Sequence, residues 1–207
     1  MITAEEILTT FDPNWENVWP LYASAFPKNE QQKPEFLIER VKNRSEKLFV
    51  FKKSETFIGF AFLLYLPKSD IYLLDYLAID PLNRNAGYGA LVLIKLKEIL
   101  SRKSILLEVD DPDFGTDTEQ KKRRVSFYRK SGAKQIEDFN YILPALDGST
   151  PTYQTLFLLG GNIPIQITSN ALKKLVGEVY AINYGLNEKS EHFKEMFAIE
   201  REYYVLT

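Results

Sequence analysis

Two glycines at the head of an amphipathic segment, Gly87 and Gly89, are the residues whose placement first suggests chemistry. They follow the apolar run Ile71–Ile79, closed by Asp80-Pro81, and precede Leu91, Val92, Lys95 and Ile99 at helical spacing. Glycine permits positive φ and lets a ligand approach bare backbone. Free N–H groups at a helix start attract an anion, and the helix dipole reinforces the attraction. Arg84 adds a charge-assisted donor beside them. The stretch Arg84-Asn85-Ala86-Gly87-Tyr88-Gly89 thus suits a phosphate, although two glycines are also what an ordinary turn uses.

Two other phosphate motifs do not fit. A P-loop needs G-x-x-x-x-G-K-[ST], and no Lys-Ser or Lys-Thr follows at that spacing. A dinucleotide fingerprint needs a third glycine, where this chain has Val92. Glu108 does lie at a distance that imitates a ribose-binding acid, but Asp80 to Ala86 separates the strand end from the first glycine. Glu108 has a second meaning. It interrupts the apolar run Ile105–Val109, as Asp75 interrupts Ile71–Ile79. A buried carboxylate has a raised pKa and is either paired or functional. Each acid could relay a proton through water or be a structural hydrogen-bonded group. Spacing alone does not decide whether they face the same side of a sheet.

The elements that must position these residues read as α/β. Asp12-Pro13 starts a helix carrying Trp15, Val18, Trp19, Tyr22 and Phe26, interrupted by Pro20. After the polar connection Phe26 to Pro34, a second helix buries Leu37 and Val41. Strands follow at Leu48–Phe51, Thr56–Leu66 and Ile71–Ile79, then a helix from about Gly87 to Ser101 and a strand at Ile105–Val109. Strand, helix, strand implies a parallel pair with a right-handed crossover. A helix over Asp117–Ser131 ends at Gly132, and Lys134–Tyr141 with Tyr153–Leu159 reads as a last strand pair. Leu172, Leu175, Val176 and Val179 mark a further helix. The charged stretch after Leu186 reads as an accessory helix, and Tyr203–Leu206 as a strand. The economical division is one α/β domain over residues 1–160 with a mainly helical extension, 161–207, packed on it.

Composition removes several classes. The net charge is -2, from 26 basic and 28 acidic residues, so no field favours nucleic acid or an anionic membrane. The run Lys121-Lys122-Arg123-Arg124 reads as a solvated helix face or a local anion contact. With no cysteine there is no disulfide, thiolate nucleophile or zinc–thiolate site, and the lone His192 in a charged tail has no partner for a metal site or triad. No metal is expected. The N-terminus has acids and no long apolar run, and no stretch approaches the ~18 apolar residues of a membrane span. A soluble cytoplasmic protein is the expectation.

Two motifs together carry a family resemblance. Leu77-Ala-Ile-Asp-Pro-Leu-Asn-Arg-Asn-Ala-Gly-Tyr-Gly-Ala90 resembles the GNAT acetyltransferase signature, a strand ending followed by [RQ]-x-x-G-x-[GA], here on Arg84, Gly87 and Gly89. Arg124-Val-Ser-Phe-Tyr-Arg-Lys-Ser-Gly-Ala133 resembles the family's later helix ending in F-Y-x-x-x-G-[FA]. Asn85 stands where Gly is frequent, and Asn tolerates left-handed backbone. Ala133 stands where many members have Phe.

The resemblance implies a GNAT fold, a central mixed twisted sheet with a splayed parallel strand pair and flanking helices. It implies acetyl-CoA as cosubstrate. The pantetheine arm would pair with Leu77, Ala78 and Ile79, and the pyrophosphate would sit on the amides of Asn85, Ala86, Gly87, Tyr88, Gly89 and Ala90. Phe127 would line the coenzyme, and Tyr128 would be the acid beside its sulfur, with Asp75 or Glu108 as base. The acceptor would be a primary amine of a small molecule or peptide, attacking directly with no enzyme nucleophile; a non-catalytic ligand-binding module of the same fold is the alternative. The connections Pro27–Lys33 and Pro144–Pro151 would select the acceptor, although Lys28, Glu30, Lys33 and Asp147 point to no single class. An exchanged or docked C-terminal segment would make a homodimer.

Overall fold

The computed structural model describes residues 1–207. Strands β1 (Thr3–Ile7), β2 (Glu46–Lys53), β3 (Thr56–Leu66), β4 (Ile71–Ile79), β5 (Ile105–Asp110), β6 (Lys134–Gln135), β7 (Tyr141–Leu143) and β8 (Thr152–Leu159) form one twisted sheet. Its order is β1-β2-β3-β4-β5-β8-β6, with β7 on the same strand, β8. Only β4 and β5 run parallel, and their crossover is the helix α3 (Tyr88–Leu100). The other helices are α1 (Trp15–Ala25), α2 (Pro34–Lys42), α4 (Thr118–Lys130), α5 (Ser169–Asn183) and α6 (Glu191–Met196). Strands β9 (Gln166–Thr168) and β10 (Tyr203–Val205) make a small second sheet. No helix is long and apolar enough to cross a membrane.

The period of two in the strands divides the core cleanly. Along β3, Phe60 and Phe62 meet Trp15, Val18 and Tyr22 of α1 and Leu37 of α2. Further along the same face, Leu64 and Leu66 join Leu172, Val176 and Val179 of α5. The alternate residues Ala61 and Leu63 point to the other face, where Val92, Leu93 and Leu96 of α3 cover them. One face therefore carries two separate helix pairs, α1–α2 and α5–α6. The opposite face carries α3 and α4.

Three expectations change. The helix α1 runs through Pro20 and stays one element, because Val18, Leu21 and Tyr22 bury its inner side on both sides of the proline. The proposed strand Lys134–Tyr141 is two short strands, since Asp138 adopts a left-handed φ of 55° and turns the chain. The C-terminus pairs with the other edge of β6: Gln135 and Thr207 exchange backbone hydrogen bonds of 2.8 and 3.1 Å, while Ile136 N still donates to Leu156 O of β8 at 2.9 Å. Strand β1 was not expected from its polar sequence. It is an edge strand held to β2 by backbone pairing and by Lys52–Glu5 and Lys47–Glu6 ion pairs of 2.6 and 2.8 Å.

The extension is tied to the sheet by more than apolar packing. Glu178 of α5 is 4% exposed and accepts from Lys68 N, Ser69 N and Ser69 Oγ at 2.7, 2.9 and 2.6 Å, closing the turn between β3 and β4. Hydrogen bonds to a buried charge are among the stronger ones. Glu178→Ala is expected to destabilise the chain by about 2 kcal/mol. Urea titration reads this as a lower midpoint at unchanged slope.

Candidate functional site

The site begins where the parallel ladder stops. β4 and β5 pair only at Tyr72 with Ile105 and Leu73 with Leu106. In β4 the next step is a bulge: against β3, Phe62 pairs with Tyr76 while Leu63 pairs with Leu74, which leaves Asp75 as the extra residue. Tyr76 and Ala78 thereby join the α1–α2 core, while Leu77 and Ile79 turn to the α3–α4 side. From here the strands part. The gap forms a cavity of about 480 Å³ that reaches residues of both faces, from Glu30, Asp75 and Glu108 to Arg84, Arg124 and Tyr128.

The glycine turn closes one end. Asp80 Oδ1 accepts from Leu82 N at 2.9 Å and shapes a short 3-10 turn, Pro81–Asn83. Arg84 Nε then donates to Ile79 O at 3.1 Å, folding the turn back on the strand end. Asn85 and Gly87 take the left-handed conformation, with φ of 62° and 80°. The consecutive amides of Asn85 to Ala90 make no backbone hydrogen bond, and the first bond into α3 is Leu91 N to Gly87 O. They are an unfilled nest of donors at a helix N-terminus. The two glycines differ in purpose. Gly87 is needed for its φ, whereas a Cβ on Gly89 would stand 3.2 Å from Phe127 Cζ. Gly89 thus lets α4 pack against α3, and Phe127 lies against the turn.

Tyr128, next along α4, lines the cavity. Burial raises its phenol pKa, with Arg124 opposing and Asp110 adding to the rise. Arg124 itself pairs with Asp110 at 2.5 Å, so one residue of the basic run meets an acid beside the cavity and Lys121 donates to Phe114 O at 2.6 Å.

Asp75 and Glu108 face the same side. Each lies two residues beyond the last ladder pair, Leu73–Leu106, and both line the cavity. Their surroundings differ. Asp75 Oδ1 accepts from Asn183 Nδ2 at 2.8 Å, and Oδ2 lies 3.9 Å from Arg40 Nη1. The same Arg40 nitrogen donates to Asn183 Oδ1 at 2.8 Å and lies 3.6 Å from Glu46. One guanidinium thus serves two carboxylates. Burial, with Asp75 beside it, pushes Glu46 well above the usual carboxylate range, and burial also raises Asp75, with Arg40 and the Asn183 hydrogen bond opposing. Glu108 has no cation. Its Oε1 is buried without a hydrogen-bond partner, the phenols of Tyr141 and Tyr184 stand near, and burial pushes its pKa up to about 8.

Three contributors were not singled out from sequence. Asn183 and Tyr184 come from the extension, Gln154 from β8. Gln154 lies in the polar first half of β8, between Thr152 and Thr155, so it lacked the signal that marked Asp75 and Glu108. Of the charges in the two presumed selector connections, Glu30 lines the cavity, while Lys28, Lys33 and Asp147 are exposed.

The family model for the acetyltransferase (GNAT) family matches residues 15–132, more than half of the chain. The chain belongs to the GNAT acetyltransferase family. The matched span runs from α1 through the glycine turn to the end of α4 and takes in Arg84, Gly87, Gly89 and Tyr128. Among solved structures, a Bacteroides thetaiotaomicron protein assigned to the same family as an acetyltransferase superposes with a TM-score of 0.75 at 26% identity, covering 89% of this chain and 99% of that one. The ribosomal-protein-S18-alanine N-acetyltransferase of Escherichia coli gives 0.56 at 18% identity, over 79% and 96%. The spermidine N-acetyltransferase of Vibrio cholerae, solved with CoA and spermine, gives 0.53 at 12%, over 76% and 93%. No curated protein matches at the sequence level. The fold is thus the GNAT fold, with its parallel pair at β4 and β5.

Stability should carry the mark of Glu108. Its folded pKa of about 8 lies above the 4.5 of the free group, so its contribution is most favourable below 4.5 and is lost as pH rises through 8. Glu108→Gln is expected to flatten the fall in unfolding free energy between those limits by more than ~1.4 kcal/mol, one unit's worth. Denaturant titrations of both proteins across that window measure it; parallel curves would show that Glu108 is already ionised at low pH.

Proposed function

We propose that this GNAT domain is an acetyl-CoA-dependent N-acetyltransferase that moves an acetyl group to a primary amine of a small molecule or peptide by direct attack. The observation that carries the reading is the row of unbonded amides from Asn85 to Ala90 beside Arg84, set at the mouth of a gap between two parted strands. Asn85 to Gly87 are exposed and Tyr88 to Ala90 half-buried, so the free N–H groups at this helix start are open to an anion, and the donor set suits a pyrophosphate. The backbone of Leu77, Ala78 and Ile79 has no partner on the β5 side and offers an edge to an extended amide-bearing arm. Solved structures of the same fold include N-acetyltransferases named for an alanine of ribosomal protein S18 and for spermidine, and an aminoglycoside 6'-N-acetyltransferase complexed with coenzyme A.

Acetyl-CoA supplies an activated thioester carbonyl. The chain's own residues then have three tasks. The amides and Arg84 hold the pyrophosphate, with Phe127 beside Gly89 fixing the turn. Glu108, without a cation and poised near neutral pH, takes the proton that an ammonium must lose before it can attack. Asp75 is committed to Asn183 and Arg40, which favours Glu108 for this step. Tyr128 offers its hydroxyl to the departing sulfur, and a phenol with a raised pKa keeps its proton until it is needed. No nucleophilic side chain is required.

Coenzyme A at a hundredfold excess over its Kd is expected to stabilise the fold by about 2.7 kcal/mol and to raise Tm. A folded protein whose Tm does not move at millimolar coenzyme A would overturn the assignment of the turn. Tyr128→Phe is expected to lower kcat by roughly 10²–10⁴-fold while coenzyme A affinity stays constant. Release of free thiol from acetyl-CoA with an amine panel provides the rate. A Phe variant that keeps more than half the turnover removes Tyr128 from the mechanism. Binding with no thiol release under any amine would mark the chain as a ligand-binding module instead.

A further inference from the structure

Two polar side chains of the cavity are left without a task. Gln154 is 5% exposed, and its Oε1 is buried with no hydrogen-bond partner where the residue opens on the cavity opposite Asp110. Glu30 opens on the same cavity from the connection between α1 and α2. Burial pushes its pKa up to about 7, with Asp110 adding to the rise. Arg124 and Lys121 lower it only from a distance, because Arg124 is committed to Asp110 and Lys121 to the Phe114 carbonyl. Buried polar groups in this condition are destabilising in the protein alone.

Glu30 is held in place by its backbone. Tyr76 Oη donates to Glu30 O at 2.7 Å and accepts from Gln32 N at 3.1 Å, which anchors the connection to β4 beside the bulge. Gln31 Nε2 donates to Phe26 O at 2.7 Å. Leu146 N donates to Asn29 O at 2.8 Å, joining this connection to the one before β8. The charges around the cavity are otherwise matched: Asp75 faces Arg40, Asp110 faces Arg124, and Arg84 belongs to the glycine turn. Glu30 and Glu108 are the two cavity carboxylates in no ion pair, and Glu30 is near enough to add to the rise of the Glu108 pKa.

We propose that Glu30 and Gln154 form a second acceptor subsite that holds a cationic group apart from the amine received by Glu108, so that the acceptor is a small molecule with two positively charged nitrogens. The inference rests on the acetyl-transfer reading of the cavity. An ammonium has three donors, which the Glu30 carboxylate and Gln154 Oε1 can share. A monocation relieves one of the two acids and leaves the other buried unpaired. A dicarboxylate meets charge of its own sign.

The test is calorimetric titration of the full chain, saturated with coenzyme A, with three probes of equal chain length: an alkyl diamine, an alkyl monoamine and an alkyl dicarboxylate. The diamine is expected to bind at least about 10-fold more tightly than the monoamine, and the dicarboxylate not at all. Glu30→Gln, whose side chain has no bond in the protein to lose, should bring the diamine down to the monoamine level without lowering Tm. Gln154→Leu should weaken the diamine in the same direction. Equal affinity for the two amines, no binding of either, or a diamine affinity unmoved by Glu30→Gln overturns the subsite. Thiol release from acetyl-CoA, followed in parallel, separates this from the broader reading. Diamine binding that depends on Glu30 without thiol release overturns acetyl transfer and leaves the subsite. Thiol release as good with monoamines as with diamines overturns the subsite and leaves acetyl transfer.

Discussion

Beyond Leu73 and Leu106 the central strands no longer share hydrogen bonds, and the site exists because of that separation. The extra residue at Asp75 bends β4 away and moves Tyr76 onto the α1–α2 face. A bulge is an unstable feature unless something holds it. Here its side chain is buried and fixed by Asn183, which Arg40 fixes in turn. Three parts of the chain, α2, β4 and the end of α5, therefore meet at one polar knot. The knot sits at the apex of the gap.

Placing two carboxylates and one guanidinium in the interior is costly, and pairing recovers the cost only when geometry and remaining hydrogen bonds are good. Arg40 also donates to Ile182 O at 2.6 Å, so its fork is well used. Burial raises both carboxyls above their usual range, which eases the surplus of negative charge. Such an arrangement adds specificity more than stability, since an apolar trio of similar volume would leave β4 free to keep its register. The comparison with Glu108 is instructive. That acid has no fixed cation, and its environment holds it near the pH at which a proton can be taken or returned.

The two ends of the gap are built differently. The glycine turn is built from backbone, with left-handed Asn85 and Gly87 turning successive N–H groups outward. The rest of the gap is lined by side chains from segments distant in sequence, among them Glu30, Glu108, Gln154 and Tyr184. Solved structures at 12–18% identity share the fold while carrying different acceptors in their names.

Most of the fold and the left-handed glycine turn were legible in the sequence, because they depend on local rules. The continuous apolar runs Thr56–Leu66 and Ile71–Ile79, helical spacing after Gly87, and glycine at a φ-positive position act over a few residues and leave a local trace. The candidate carboxylates were legible as polar residues inside apolar strands. Their roles were not, because role depends on neighbours far along the chain: Arg40 and Asn183 for Asp75, Tyr141 and Tyr184 for Glu108. That both acids face one side was settled by the register of a two-pair ladder, which spacing cannot supply. The break between β6 and β7 was hidden as well, since the left-handed backbone at Asp138 leaves no periodic mark. The tertiary structure also decided that Glu30, among four charges in two connections, turns into the cavity. That choice is made by hydrogen bonds from Tyr76 and Leu146, long-range contacts that leave no period in the sequence.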